Sequence, residues 1–165
     1  MSAILQRKPI ARSPDAVTDA LRAAEATCRK RGLQLTDIRR SVLERLWQSS
    51  QPVGAYEIIR MLGNAFGRTV SPPTVYRALE FLQDHGFVAR IETKNAFVPC
   101  GHRDHDHACV FFICEHCGSS AEIENARAEA LFEEDAVNLG FRIGKRVIEL
   151  QSTCADCLSA EAANL

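Results

Sequence analysis

Cys114-Glu115-His116-Cys117 and Cys154-Ala155-Asp156-Cys157 stand with 36 residues between them. Two intervening residues let the backbone turn so that each pair offers both thiolates to one tetrahedral ion. Four thiolates complete a closed structural zinc site. The competing readings are a thiol redox pair or chance, and the ion is favoured. This feature constrains the fold more than any hydrophobic pattern does, because whatever folds between the pairs must bring the second back to the first. In so small a module, metal binding is a large part of the folding free energy.

The compartment matters to that argument. The N-terminal stretch offers only Ala3-Ile4-Leu5 before Gln6, Arg7 and Lys8 interrupt, which is no secretory core. No apolar run approaches the roughly 18 residues of a membrane span. The protein is therefore expected in the cytoplasm, with no membrane partner, where thiols stay reduced. Six of its seven cysteines lie beyond residue 99, which points to metal chemistry and not to a disulfide framework.

Charge divides the chain where the cysteines do. Residues 1–90 carry 14 Lys+Arg against 8 Asp+Glu, net +6, while residues 91–165 carry 6 against 13, net -7. Two modules with different partners are implied. The expected division is a mobile arm over 1–14, a helical DNA-binding unit over 15–93 and a metal-binding unit over 94–165. In the first, Asp15–Lys30 reads as a helix, and Thr36 is placed to cap a second carrying Ile38, Val42, Leu43 and Leu46 on one face. Ala55, Ile58, Ile59 and Leu62 form a third buried stripe, with Gly63 and Gly67 loosening the connection after it. Ser71-Pro72-Pro73 is a strong start for a fourth helix, whose inner face is Val75, Leu79 and Leu82. Phe87–Glu92 and Ala96–Pro99 read as strands around Thr93-Lys94-Asn95. Helices followed by a hairpin give a winged helix-turn-helix. In the second unit Val110–Cys114 and Ala121–Ile123 read as paired strands. Asn125–Leu139 reads as a helix, and Phe141–Leu150 as a strand with Gly144 a bulge. The fold class is α+β.

A helix entering a DNA major groove presents its first turns to base edges and phosphates. Those turns here hold Thr74, Tyr76 and Arg77. Arg77 suits a bidentate contact to guanine, and Thr74 and Tyr76 suit a phosphate or a thymine methyl. Arg39, Arg40, Arg60 and Arg68 are available for phosphates, and Lys94 sits on the wing. The alternative is an ordinary solvated helical face; three helices, a wing and net +6 together favour DNA.

A second metal-binding constellation follows the hairpin: Cys100, His102, His105, His107 and, downstream, Glu122. A mixed sulfur, nitrogen and oxygen set suits zinc, and the thiolate disfavours magnesium or calcium. Some of these histidines are expected simply to be solvated. His116 is expected to be an exposed spacer within its knuckle, and Cys28 and Cys109 to be packing residues.

With these residues on the page, the chain closely resembles the ferric uptake regulator family, in its zinc uptake regulator branch. The resemblance covers about residues 20–158. It rests on Pro72-Pro73-Thr74-Val75-Tyr76-Arg77-Ala78-Leu79, Gly86-Phe87-Val88, Phe111-Phe112-Ile113-Cys114-Glu115-His116-Cys117-Gly118 and Cys154-Ala155-Asp156-Cys157. It implies a homodimeric repressor of zinc uptake genes with zinc as corepressor. The N-terminal winged helix would read an AT-rich palindromic operator, and a small C-terminal α/β domain would dimerise. It further implies a regulatory zinc held by Cys100, His107 and Glu122, and it sets Tyr56 and Arg77 near DNA. Where the branch often has a fourth ligand on the first wing strand, this chain has Ala89, leaving His85, His102 or His105 for that role. Its early Thr-Pro-Gln-Arg motif reads Thr36-Asp37-Ile38-Arg39 here. An iron or peroxide sensor of the same family would use nitrogen and oxygen donors, against which Cys100 argues. A zinc enzyme would need an open coordination position with a base such as Glu122, and no further catalytic constellation accompanies it.

Overall fold

The computed structural model of the protein describes residues 13–101, 109–123, 125–144 and 146–162. The chain divides into two compact units, Pro9–His105 and a second beginning at Asp106. The arm expected over 1–14 lies outside the described residues up to position 12. Its last residue, Pro14, instead opens helix α1 (Pro14–Lys30). Ser13 accepts a hydrogen bond from the Ala16 N–H at 3.2 Å, and proline in the first turn forfeits no intrahelical bond.

Helix α2 (Asp37–Gln48) begins after Thr36 as expected, but the Thr36 hydroxyl makes no capping bond; its backbone carbonyl instead accepts from the Arg40 N–H at 2.9 Å. A two-residue strand β1 (Val53–Gly54) leads into helix α3 (Ala55–Phe66). Gly63, expected to loosen the connection, lies inside α3, and the helix ends at Gly67. Helix α4 (Pro72–Asp84) follows Ser71. The Ser71 hydroxyl pairs with the Thr74 hydroxyl at 2.7 Å and not with a backbone N–H.

Strands β2 (Val88–Ile91) and β3 (Ala96–Pro99) form the hairpin, and β1 adds to the other edge of β3, giving the antiparallel order β1-β3-β2. Four residue pairs from Val88↔Pro99 to Ile91↔Ala96 join the hairpin arms. The expected unit boundary at 93/94 would cut between those arms; the ladder keeps them in one unit. The core of this unit takes Val17 and Leu21 from α1, Val42, Leu43 and Leu46 from α2, Ile58 and Leu62 from α3, and Val75, Leu79 and Leu82 from α4. Burying each large apolar side chain contributes roughly 1.5–3 kcal/mol.

The second unit is a three-stranded sheet of order β5-β4-β6 with two helices. Strand β4 (Cys109–Cys114) lies centrally, antiparallel to β5 (Ser120–Ile123) and parallel to β6 (Val147–Ser152). Parallel neighbours need a long crossover, which contains helix α5 (Ala126–Asn138), capped by the Asn125 side chain at 3.2 Å from the Ala128 N–H. Phe111 and Ile113 of β4 are fully buried. The strand expected from Phe141 begins only at Val147, so Gly144 is not a strand bulge. Helix α6 (Ala155–Ala162), which sequence patterning did not reveal, ends the described chain.

Candidate metal centre and nucleic-acid interface

The knuckle after β4 brings the first cysteine pair together. The Gly118 N–H bonds to the Cys114 carbonyl at 3.0 Å, and Gly118 sits at φ +72°, a conformation that glycine adopts without strain. The parallel pairing of β6 with β4 carries the chain to Ser152 beside Cys114, and Cys154 follows two residues later. The four sulfurs of Cys114, Cys117, Cys154 and Cys157 then lie within 4.8 Å of one another. Cys114 and Cys157 Sγ are 3.8 Å apart, and Cys117 and Cys154 Sγ 3.6 Å. A tetrahedral zinc with bonds of about 2.3 Å requires sulfur–sulfur edges of about 3.8 Å. A disulfide would need about 2.05 Å. The donor set therefore fits zinc, by geometry as well as by residue type.

Electrostatics agree. The Cys114 thiol is lowered from its ordinary 9.0 to about 6, mainly by the backbone N–H of Cys117, then by those of Cys154 and His116. The Cys117 thiol is also lowered, chiefly by the Ser119 hydroxyl, 3.1 Å away. Cys157 is raised, first by its hydrogen bond with Cys154 and then by burial. Metal-free, the cluster holds one thiolate ready and keeps a proton on another. His116 stays outside the sulfur cluster, half exposed, with Nε2 3.2 Å from a Glu161 carboxylate oxygen on α6. Sequence reasoning missed Glu161 because α6 itself carried no signal.

The second constellation is only partly described. Cys100 follows β3 and is 5% exposed. Its N–H donates to the Phe87 carbonyl at 2.9 Å. Glu122 is on β5, where it pairs with Phe111 of β4. At 4% exposed, it is the one charged or polar side chain among the described residues that is buried. A carboxylate so enclosed costs several kcal/mol unless a cation or donors compensate it. His102, His105 and His107 lie outside the described residues. His85 follows α4, its ring edge-on to Phe81 with centroids 4.5 Å apart. Ala89 is buried in β2. Cys28 is buried in the core, as expected of a packing residue; the side chain of Cys109 is not described.

On the first unit, Tyr56 in the first turn of α3 is 80% exposed and Tyr76 in α4 is 42% exposed. Thr74 and Arg77 share the exposed side of α4. Arg60 and Arg68 are exposed, the former 3.4 Å from Glu57, and Lys94 sits at the exposed wing tip. Arg40 is held by Glu25 at 2.8 Å. Arg39 is engaged too: its guanidinium stacks 3.5 Å from the centroid of Phe81, and Nη1 donates to the Gln34 carbonyl at 2.6 Å. Phe81, which the sequence reading did not single out, thus meets both Arg39 and His85.

In the second unit, Leu131 and Val137 of α5, with Leu139 and Phe141 after it, are 55–73% exposed. Large apolar side chains left in solvent in this number point to an interaction surface on this unit. No helix among the described residues is long and apolar enough to cross a membrane.

Comparison with known proteins extends these observations. A family model described as the Ferric uptake regulator family matches residues 30–151. The Zinc uptake regulation protein of Escherichia coli (strain K12) is 35% identical over 145 residues, 87% of this chain and 84% of that protein. A solved structure of a zinc uptake regulator complexed with zinc and DNA matches with TM-score 0.82 and 35% identity, covering 88% of this chain and 97% of that one. Holo XcZur matches with TM-score 0.78 and 39% identity, covering 86% of this chain and 98% of that one.

Proposed function

Because the chain belongs to the ferric uptake regulator family, we propose that it is a zinc-responsive transcriptional repressor: a cytoplasmic homodimer that binds double-stranded DNA and silences zinc uptake genes. The observation that carries this reading is the match, along nearly all of a solved relative, to a zinc uptake regulator holding both zinc and DNA. It is a binding protein, not an enzyme.

Residues 15–93, completed by β3, form the DNA-binding domain. Thr74, Tyr76 and Arg77 of α4 enter a major groove, and Tyr56 of α3 reaches the same duplex. The operator is a palindrome, because a twofold dimer offers α4 twice; that it is AT-rich is what the family resemblance implies. The second domain dimerises through the apolar face of Leu131, Val137, Leu139 and Phe141, which a second copy covers.

At least two zinc ions serve each chain, one structural and one or more regulatory. Cys114, Cys117, Cys154 and Cys157 hold the structural one. The regulatory one is held by Cys100, His107 and Glu122, with His85, His102 or His105 completing the set. The buried carboxylate of Glu122 and the buried thiol of Cys100 support this assignment, since both gain from a cation. Binding there shifts the equilibrium of the dimer toward its DNA-binding state. Moving such an equilibrium from 1:99 to 99:1 takes about 5.5 kcal/mol of differential affinity.

The test is a titration of DNA binding against buffered free zinc. Wild-type binding should rise steeply, whereas Cys100→Ser should keep its fold and its structural zinc and lose the response. Unchanged zinc dependence in Cys100→Ser would defeat the assignment.

A further inference from the structure

We infer that Arg39 is a positioning residue for the DNA-reading helix, acting through Phe81 and not by contact with a phosphate. The inference rests on the proposed DNA binding and concerns how α4 is aimed.

Three observations converge. First, the Arg39 guanidinium is already committed, with one face on the Phe81 ring at 3.5 Å and one N–H on the Gln34 carbonyl at 2.6 Å. Swinging the guanidinium away to a phosphate would break both contacts. Second, Phe81 lies on the same stripe of α4 as Thr74 and Arg77. The spacings are three and four residues, which stack side chains on one helical face. Thr74 and Arg77 end that stripe exposed, and Phe81 continues it partly buried against the core. A clamp on Phe81 therefore fixes the rotation of α4 about its axis, and with it the direction in which Arg77 points. Third, the same ring also meets His85, edge-on at 62° between planes. Just beyond, the Phe87 N–H bonds to the Leu82 carbonyl at 2.8 Å and ends the helix. Phe81 therefore joins Arg39 of α2 to the C-terminal end of α4.

Lysine cannot replace this function. It keeps the charge but has no planar face to lie on the ring, and no fork to hold the Gln34 carbonyl meanwhile.

The experiment uses full-length zinc-loaded protein and two duplexes. One is enriched from a randomised library by the wild-type protein; the other is a scramble of the same composition. Affinities are measured from 50 to 300 mM KCl. Arg39→Lys should weaken binding to the enriched duplex about tenfold and leave the scramble unchanged. The slope of log affinity against log salt should be that of wild type. Phe81→Leu should do the same, and the double variant no more than either alone, because both cut one linkage.

Three outcomes would overturn the inference. One is Arg39→Lys matching wild type on the enriched duplex. Another is Arg39→Gln lowering the salt slope by about 0.9 while weakening both duplexes alike, as loss of a phosphate contact would. The third is simple addition of the two losses in the double variant. Where Phe81→Leu fails to fold, the Arg39 variants alone decide the matter. Failure of wild type to enrich any sequence is a separate result, and it would sink the DNA-binding reading itself.

Discussion

Three N–H groups, from Cys117, Cys154 and His116, bear on the sulfur of Cys114 and hold its thiol at about 6. The folded value lies below the ordinary 9.0, so the stabilisation is full above the ordinary value and is lost as pH falls through about 6. Zinc competes with protons for the thiolates, so metal should be kept across the neutral range and released on acidification. A chromogenic chelator during a pH ramp reads that release; complete loss already at pH 7 would contradict the account. Cys154→Ala has a larger consequence. Structural zinc contributes apparent values of about 10–16 kcal/mol in small domains, against about 5–15 kcal/mol of total stability. The variant should lose amide-exchange protection in β4, β5 and β6. The lone Trp47, packed on the first unit's core, should still report cooperative unfolding there. At this scale the sequence was most legible, since the spacing of four cysteines sufficed to name the cluster. Glu122 was legible by type, but its burial, which makes it a strong ligand candidate, depends on β4 covering it. The Arg39–Phe81 stack was illegible, because its partners are 42 residues apart and neither type advertises the pairing.

Helix α4 is the element on which the proposed DNA reading depends, and its anchors differ in kind. Leu79→Ala would leave a cavity among α2, α3 and α4, and such losses cost about 2–5 kcal/mol. Gly86 lies at φ +73°, so Gly86→Ala should cost about 1–2 kcal/mol through backbone strain alone. Urea unfolding followed by Trp47 fluorescence separates the two; a Gly86→Ala effect as large as that of Leu79→Ala would contradict this account. Long periodic elements were legible: α3 from its three-and-four spacing, α4 from Ser71-Pro72-Pro73. Short or bond-dependent features were not. Strand β1 has two residues and exists because the edge of β3 offers it partners. Ser71 stood at the right position, but Thr74 competes successfully for its hydroxyl. The alternation from Phe141 looked like a strand, yet the Phe141 N–H bonds back to the Ala136 carbonyl at 2.8 Å and closes α5. Helix α6 begins inside the second cysteine motif, so its first turn was read as knuckle alone.

For the whole molecule, the charge division at about residue 90 falls inside a hairpin whose arms the pairing of β2 and β3 keeps together. Oligomerisation belongs to this scale. Replacing Leu139 and Phe141 together by Asp should convert the dimer to a monomer in sedimentation velocity and weaken DNA binding with it; an intact dimer would remove that face from the account. The central claim is that zinc sets the protein's grip on DNA. Its most direct test is the affinity of one enriched duplex for two forms of the full-length protein at fixed ionic strength. One form carries only the structural zinc; the other is saturated at the proposed regulatory site as well. The account predicts a gain of at least a hundredfold on saturation, and equal affinity of the two forms would contradict it.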